Sequence, residues 1–368
     1  MQLSGKRILF LNWKDIHNPS AGGAEVLTDA LASHLAEENE VLYITSSFPN
    51  APKIETINGY TVIRAGNIAT CMIHAFFTHD KLQRERKFDL IIDQVHGVPF
   101  FSLFYTNHPR ILTLIHEVAG DLWSTVFPRA FGKHVDAFWL WLYKKQQFIT
   151  VSQSTKQELM LHRIPESHIH IIPNFCDLQL STIPEKTSPF TLIVLGRIAP
   201  GKRIEHAIEA FRILKKTIPE VHLIIIGKSE KKYDAYNNII QNLADQSPDI
   251  TIIRNANDQE KTNWLKQSHI LLMPSKKEGY GIAILEAAAC GTPAIGYNVA
   301  GIRDAIIDGE TGLLAKEELP EQLAKASLML LQNSSQYAAM KSAAFLHAQQ
   351  YTAEHTLLSF EIALAPIL

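Results

Sequence analysis

Short apolar runs alternate along this sequence with amphipathic segments of helical length, and the pattern occurs twice. In the first half, residues 7–12, 88–93 and 111–115 are typical of buried strands. Residues 177–189 interrupt the pattern with prolines and serines, and residues 190–195 begin it again. Because parallel sheets carry helices on both faces, this alternation predicts an α/β fold with two doubly wound domains. Ligands of such domains bind beyond the carboxyl ends of the strands.

The length of the chain agrees with this organisation. Its 368 residues are enough for two hydrophobic cores. The sequence predicts an N-terminal domain over residues 1–180 and a C-terminal domain over residues 181–350. Residues 351–368 are predicted to form a C-terminal helix that could pack back on the N-terminal domain.

Composition and charge exclude several other classes of protein. The formal net charge is −2, so no overall basic field would attract nucleic acid. The three cysteines, Cys71, Cys176 and Cys290, are widely spaced, which favours reduced thiols over a disulfide framework. No apolar run is long enough to span a bilayer, and the residues before the first strand show no signal-peptide pattern. The expected location is the cytoplasm.

A glycine-rich turn opens a predicted helix after the strand at residues 270–273. Gly279 and Gly281 permit the sharp turn, and the backbone N–H groups of Gly281, Ile282 and Ala283 then have no helical acceptor. A helix N-terminus of this kind binds phosphate without a metal ion. The turn therefore predicts a site for a pyrophosphate.

Two carboxylates, Glu278 and Glu286, flank the same turn. Ionised carboxylates accept hydrogen bonds from neighbouring hydroxyl groups, which suits a sugar better than a phosphate. Taken singly, Glu278 could be a solvated loop residue and Glu286 an acidic residue in the first turn of a helix.

Two glutamates separated by seven residues around such a turn resemble the signature of the retaining glycosyltransferases of family 4. The resemblance covers most of the chain and is strongest over residues 148–314. It implies the GT-B fold, with two Rossmann-like domains facing each other across a cleft. It also implies transfer of a sugar from a UDP- or GDP-linked donor to a hydroxyl of a glycan, a lipid-linked sugar or another glycoconjugate, without a metal or cofactor.

The resemblance assigns roles in the C-terminal half. Glu278 would hold hydroxyls of the donor sugar and Glu286 the ribose, with Tyr280 in the donor-binding turn between them. Arg197 and Lys202, in a strand–turn motif, would bind the donor phosphates as their charge grows on leaving. The nucleotide base would lie near Arg254 at the end of another strand, whereas residues 298–304 and 308–314 are expected to be structural closing loops.

Two places in the N-terminal half also match the family. Gly22 and Gly23 follow the first strand and precede a helix, where the domain would close over the donor diphosphate. This loop lacks the first glycine of the dinucleotide fingerprint, and its glycines could simply pack the helix against the sheet. His116 ends a buried strand and would bind a hydroxyl of the donor sugar, with Glu117 or Asp121 near the acceptor. The residues after His116 do not form the HExxH zinc motif.

Two segments suggest contact with the inner membrane surface. Residues 138–145 are aromatic and end in lysines, and residues 81–87 are basic. The first could instead bury its aromatic rings against the sheet, and the second could be an ordinary solvated face. Two other functions stay open, which are a nucleotide-sugar epimerase of the same fold and a non-catalytic nucleotide-sugar-binding subunit.

Overall fold

The chain forms two compact units. The computed structural model describes residues 4–106, 110–120, 123, 129–187 and 189–367, and it describes no side chains for residues 129–133. Unit 1 comprises Met1–Asn174 and Ala353–Leu368, and unit 2 comprises Phe175–Thr352. Within the described residues, no helix combines the length and apolarity needed to cross a bilayer.

Unit 1 is built on an eight-stranded sheet. Its strands are β1 (Arg7–Leu11), β2 (Glu40–Thr45), β3 (Ile54–Ile57), β4 (Tyr60–Arg64), β5 (Leu90–Val95), β6 (Ile111–Ile115), β7 (Gln147–Thr150) and β8 (Ile169–Ile171). They lie in the order β3-β4-β2-β1-β5-β6-β7-β8, and all neighbours are parallel except β3 and β4. The main helices are α1 (Gly23–Ala36), α2 (Cys71–Glu85), α3 (Arg129–Tyr143) and α4 (Gln153–Leu161).

Unit 2 repeats the design with a fully parallel sheet. Its strands are β9 (Thr191–Leu195), β10 (His222–Gly227), β11 (Ile250–Arg254), β12 (Ile270–Met273), β13 (Ala294–Tyr297) and β14 (Gly312–Ala315), in the order β11-β10-β9-β12-β13-β14. Its helices are α5 (Ile204–Lys215), α6 (Asp234–Ala244), α7 (Asp258–Gln267), α8 (Ile282–Ala289), α9 (Ile302–Ala305), α10 (Pro320–Gln332) and α11 (Ser334–Ala348).

Burial on both faces explains why the central strands are continuous apolar runs. Every residue of β1, β5, β6, β9 and β12 is buried. Because both faces of such a strand are buried, its residues do not alternate between apolar and polar. The strand is therefore a continuous hydrophobic segment in the sequence. These strands are the ones that the sequence identifies most directly.

The strand order places one switch point in each sheet. In unit 1, β1 lies between β2 and β5, and in unit 2, β9 lies between β10 and β12. Connections from such a central pair leave the sheet toward opposite faces, which opens a crevice at the carboxyl ends of the strands. The ends of β1, β5 and β6, and those of β9, β10 and β12, are therefore where ligand-binding residues are expected.

The C-terminal helix, α12 (Ala353–Leu364), belongs to unit 1. It contacts α1, and the Glu361 carboxylate lies 2.7 Å from Nε2 of His34. Phe360, Ala363 and Leu364 are buried. The chain thus returns to its first unit after completing the second.

Two features differ from the sequence-based expectation. The expected closing loops over residues 298–304 and 308–314 are wrong in part, because Ile302–Ala305 form helix α9 and Gly312–Ala315 pair with β13 as strand β14. The aromatic segment of α3 only partly follows the interpretation that its rings pack against the sheet. Trp139 and Tyr143 are buried in the core, whereas Phe138 and Trp141 are 60% and 59% exposed.

Candidate functional site

The glycine-rich turn of unit 2 forms the start of α8. Gly281 caps the helix with φ of 92°, a left-handed conformation that favours glycine. The Ile284 amide donates to the Gly281 carbonyl at 2.8 Å, so the amides of Gly281, Ile282 and Ala283 precede the first bond of the helix. The first amides of a helix have no carbonyl acceptor within the helix, because no helical turn precedes them. The helix dipole also favours an anion beside them. The backbone thus forms the glycine-capped helix start that the sequence predicts.

Glu278 is held at this turn by its own backbone. Its amide donates to the Ala300 carbonyl at 3.1 Å. Gly301 has φ of 81°, and a Cβ built there would lie 2.2 Å from the Glu278 carbonyl oxygen. Only glycine allows this approach, so the loop over residues 298–304 sets the position of Glu278.

Lys202 and Glu278 form an ion pair beside the turn. The Lys202 Nζ lies 2.5 Å from Oε1 of Glu278, and the two side chains are 23% and 13% exposed. Lys202 ends the short helical turn Pro200–Lys202 after β9. Its side chain passes over Gly196, where a Cβ would lie 3.6 Å from Cε of Lys202. The fold therefore brings together two predicted site residues that lie 76 positions apart in the sequence.

Arg197 has a partner that the sequence analysis missed. Its Nη1 lies 3.3 Å from Oε1 of Glu230, and Lys232 approaches the second oxygen of Glu230 at 2.7 Å. Burial raises the pKa of Glu230, but the bond from Lys232 and the charges of Lys232 and Arg197 outweigh it and lower the pKa. A diphosphate that binds Arg197 has to compete with this carboxylate.

Glycine allows a close approach between the ends of β9 and β10, beyond which Arg197 and Glu230 lie. A Cβ at Gly227 would lie 2.0 Å from the Gly196 carbonyl, and Ile198 forms a β-bridge with Ser229 beyond the strands. The position of Glu230 three residues after the end of β10 was the signal that could have identified it, since residues beyond strand ends face the crevice.

Glu286 lies on α8 and also pairs with a lysine. Nζ of Lys261 on α7 lies 2.7 Å from Oε1 of Glu286. Arg254, in contrast, is exposed at the end of β11 and donates to Oε1 of Gln241 on α6 at 2.8 Å. Tyr280 is 7% exposed and packs against Tyr351 with ring centroids 5.8 Å apart. The ring of Tyr280 is therefore part of the packing beneath the turn.

In unit 1 the glycine loop is closed by an acidic side chain. Gly22 caps α1, and its amide donates to Oε2 of Glu25 at 2.7 Å in a capping box. Gly23 is the first residue of the helix. The other oxygen of Glu25, whose side chain is 2% exposed, lies 3.6 Å from Nζ of Lys14 and 3.3 Å from Nε2 of His96.

His116 follows β6 and is half-buried among polar side chains. Nε2 of His116 and Nε2 of His96 each lie 3.3 Å from Nε2 of Gln94, and Thr28 donates to the oxygen of Gln94 at 2.6 Å. Burial, followed by the charge of His96, lowers the pKa of His116 to about 4, although Glu25 opposes this. His116 is therefore a neutral hydrogen-bonding group at pH 7.

The sequence analysis missed Lys14, Glu25, Gln94 and His96 around His116. Glu25 stands three residues after a helix cap, which is the capping-box spacing, and His96 comes directly after a buried strand, so both carried a signal. Glu117 is partly buried, and Asp121 lies outside the described residues. Within the described ranges, no group of three or more histidine, cysteine or acidic side chains could hold a metal ion.

Family models match both halves of the chain. The model described as Glycosyltransferase Family 4 matches residues 21–180, and the one described as Glycosyl transferases group 1 matches residues 179–347. The chain belongs to glycosyltransferase family 4. Its two Rossmann-like units, one with a mostly parallel and one with a fully parallel sheet, are those of the GT-B fold.

Relatives and solved structures agree with this assignment. A D-inositol 3-phosphate glycosyltransferase from Arthrobacter sp. (strain FB24) is 30% identical over 53% of this family 4 chain, an alignment that spans half of the relative's length. A sucrose-phosphate synthase from Thermosynechococcus elongatus superposes with a TM-score of 0.80 at 18% identity, covering 98% and 99% of the two chains. The Anabaena protein Alr3699/HepE in complex with UDP and glucose gives 0.74 at 17%, covering 98% and 100%. These two structures establish the similarity of fold.

Replacing Gly301 with Ala tests how this glycosyltransferase family 4 member positions Glu278. The new Cβ would meet the Glu278 carbonyl at 2.2 Å in a left-handed conformation, so we expect a loss of about 1–3 kcal/mol in the free energy of unfolding. Gly201→Ala is the matched control, because a Cβ there meets nothing within 4 Å. Chemical denaturation measures both variants. Equal stabilities would contradict the steric argument.

Proposed function

We propose that this chain is a retaining glycosyltransferase that moves a sugar from a nucleoside diphosphate sugar to a hydroxyl acceptor. The observation that carries the proposal is the Lys202–Glu278 pair beside the free amides that begin α8. This arrangement offers a cation and backbone donors to a diphosphate and a carboxylate to sugar hydroxyls. An activated sugar presents both kinds of group, joined at one bond.

The diphosphate would bind at the amides of Gly281, Ile282 and Ala283. Lys202 would contact it as a point charge, and Arg197 would join after leaving Glu230. Because the leaving diphosphate gains charge as its bond to the sugar breaks, these donors bind the transition state more strongly than the ground state. The chain's own groups thus supply the charge stabilisation, and no metal is assigned to the reaction.

The carboxylates would orient the rest of the donor. Glu278 would accept hydrogen bonds from hydroxyls of the sugar, and Glu286 from hydroxyls of the ribose. In unit 1, His116 in its neutral form would offer a hydrogen bond to a hydroxyl group, and Gly22 and Gly23 would offer backbone that a phosphate can approach. Arg254 would lie near the base through its backbone.

The reaction would proceed on one face of the sugar. The bond from the anomeric carbon to the diphosphate oxygen breaks, and the acceptor oxygen forms a new bond to the same carbon. The acceptor proton passes to an oxygen of the leaving phosphate, and positive charge develops at the anomeric centre. The motifs place no carboxylate as a covalent nucleophile, and retention follows from attack on the face that the phosphate leaves.

The relatives suggest which substrates to test first. The complex of Alr3699/HepE contains UDP and glucose, and the Arthrobacter relative is named for D-inositol 3-phosphate. For this chain we therefore propose a UDP- or GDP-linked hexose as donor and a glycan, a lipid-linked sugar or another glycoconjugate as acceptor.

Nucleotide release with a panel of UDP- and GDP-hexoses tests the proposal. We expect release to depend on an added acceptor, and Lys202→Met and Glu278→Gln each to lower turnover by about a hundredfold or more. Lys276→Met, at an exposed neighbouring lysine, is the control and should keep wild-type turnover. A changed free nucleotide sugar without acceptor would indicate an epimerase, and binding without turnover would indicate a non-catalytic subunit. Either result would refute the transferase.

A membrane surface is the proposed location of a lipid-linked acceptor, reached from the cytoplasm. On α2, Ile73 and Phe77 are 60% and 63% exposed, and Phe104 in the loop after β5 is 69% exposed. The ring of Phe76 meets Tyr105 at 5.4 Å, which joins α2 to this loop in one aromatic surface. The exposed basic residues that follow on the same helix and just after it are Lys81, Arg84, Arg86 and Lys87. Aromatic and basic groups together favour an anionic lipid surface.

Sedimentation with vesicles tests the proposed membrane contact. We expect more protein to bind vesicles of phosphatidylglycerol and phosphatidylcholine than vesicles of phosphatidylcholine alone. Phe77→Ser should reduce this binding, because it removes an exposed ring from the aromatic surface. Leu346→Ser, at a residue of unit 2 that is 64% exposed, should not. If both variants bind the vesicles equally well, the aromatic surface is not part of the membrane contact.

A further inference from the structure

Lys261 is the group that holds the carboxylate of Glu286. Its Nζ lies 2.7 Å from Oε1 of Glu286 and 3.1 Å from Oδ1 of Asp258. Side-chain exposure is 25% for Lys261 and 21% for Glu286, but 97% for Asp258. The contact with Glu286 is therefore sheltered from water, and the contact with Asp258 is open to it.

This shelter makes the inner pair stronger than an ordinary surface ion pair. Exposed pairs are weakened by water and by dissolved salt, and half-buried pairs are weakened less. Burial alone would lower the pKa of Lys261, but the charge of Glu286 and bonds to Glu286 and Asp258 raise it above the usual value. The lysine is charged at neutral pH and binds one of the two carboxylate oxygens of Glu286.

The orientation of Glu286 follows from this contact. An ammonium on Oε1 restricts the rotamers of the glutamate and leaves Oε2 to accept a further hydrogen bond. Lys261 lies on α7 and Glu286 on α8, and these helices pack together. The direction in which Oε2 points is therefore set by two fixed helices.

We propose that Lys261 is a positioning residue that orients Glu286 toward the ribose of the donor. The ion pair would then determine the preference for a ribonucleoside diphosphate over its deoxy counterpart. The inference rests on the proposed function, since it requires the ribose to bind at Glu286. Lys261 acts through Glu286 and makes no contact with the reacting atoms.

Binding constants for UDP and its 2′-deoxy and 3′-deoxy analogues test this proposal on the full chain. The GDP series is measured in parallel, and the nucleotide that binds more tightly is used. We expect the wild type to prefer the ribonucleotide over at least one deoxy analogue by about tenfold, the value of one hydrogen bond to a charged group. Lys261→Met should reduce this preference to about threefold or less, mainly by weakening the ribonucleotide.

Conservative variants separate positioning from a general structural role. Lys261→Arg keeps the charge and should restore most of the preference. Asp258→Asn removes only the exposed contact of Lys261 and should leave the preference unchanged. If Lys261→Met does not fold, as judged by circular dichroism, Lys261→Gln takes its place in the binding measurement, because it also removes the charge.

Glu286→Gln distinguishes failure of the inference from failure of the proposed function. If Glu286→Gln loses the preference for the ribonucleotide and Lys261→Met keeps it in full, only the role of Lys261 is wrong. An unchanged preference in Glu286→Gln would overturn the assignment of the ribose to Glu286. If neither series binds the wild type, the proposed donor and the inference are both wrong.

Discussion

The contact between Lys202 and Glu278 is the interaction on which the account of this site depends. A half-buried cation and a carboxylate come together beside the first amides of α8, although the two residues lie 76 positions apart in the sequence. Lys202 arrives from the end of β9 and Glu278 from the end of β12, two strands that are neighbours in the sheet of unit 2. The parallel sheet therefore creates the site, because it brings the carboxyl ends of distant strands to one edge.

Glycine makes the close approaches at this edge possible. Gly301 lets its loop touch the backbone of Glu278, and Gly227 lets β10 approach the carbonyl of Gly196. The charged groups are then paired before any ligand arrives, as Lys202–Glu278, Arg197–Glu230 and Lys261–Glu286. In the proposed function, the donor diphosphate would take the place of Glu278 at Lys202 and of Glu230 at Arg197. Pairing of this kind keeps the site ordered without a ligand.

Much of the fold could be predicted from the sequence, because buried parallel strands and amphipathic helices leave periodic local signals. The turn at Gly279–Gly281 was equally clear, since glycines, a strand end and a helix start lie within a few residues. The strand β14 was missed because its four residues are too short for a period. Glu230 and Lys261 were missed because their partners lie 33 and 25 residues away along the chain. Such pairs depend on how helices and strand ends pack, which no local pattern records.

A structure of this chain in complex with UDP or GDP would show whether the diphosphate binds at the start of α8. We predict that its terminal phosphate lies within hydrogen-bonding distance of at least one amide among Gly281, Ile282 and Ala283, and of Nζ of Lys202. Lys202 would then have moved from Glu278 to the phosphate. A nucleotide bound elsewhere, with the Lys202–Glu278 pair intact, would contradict the account.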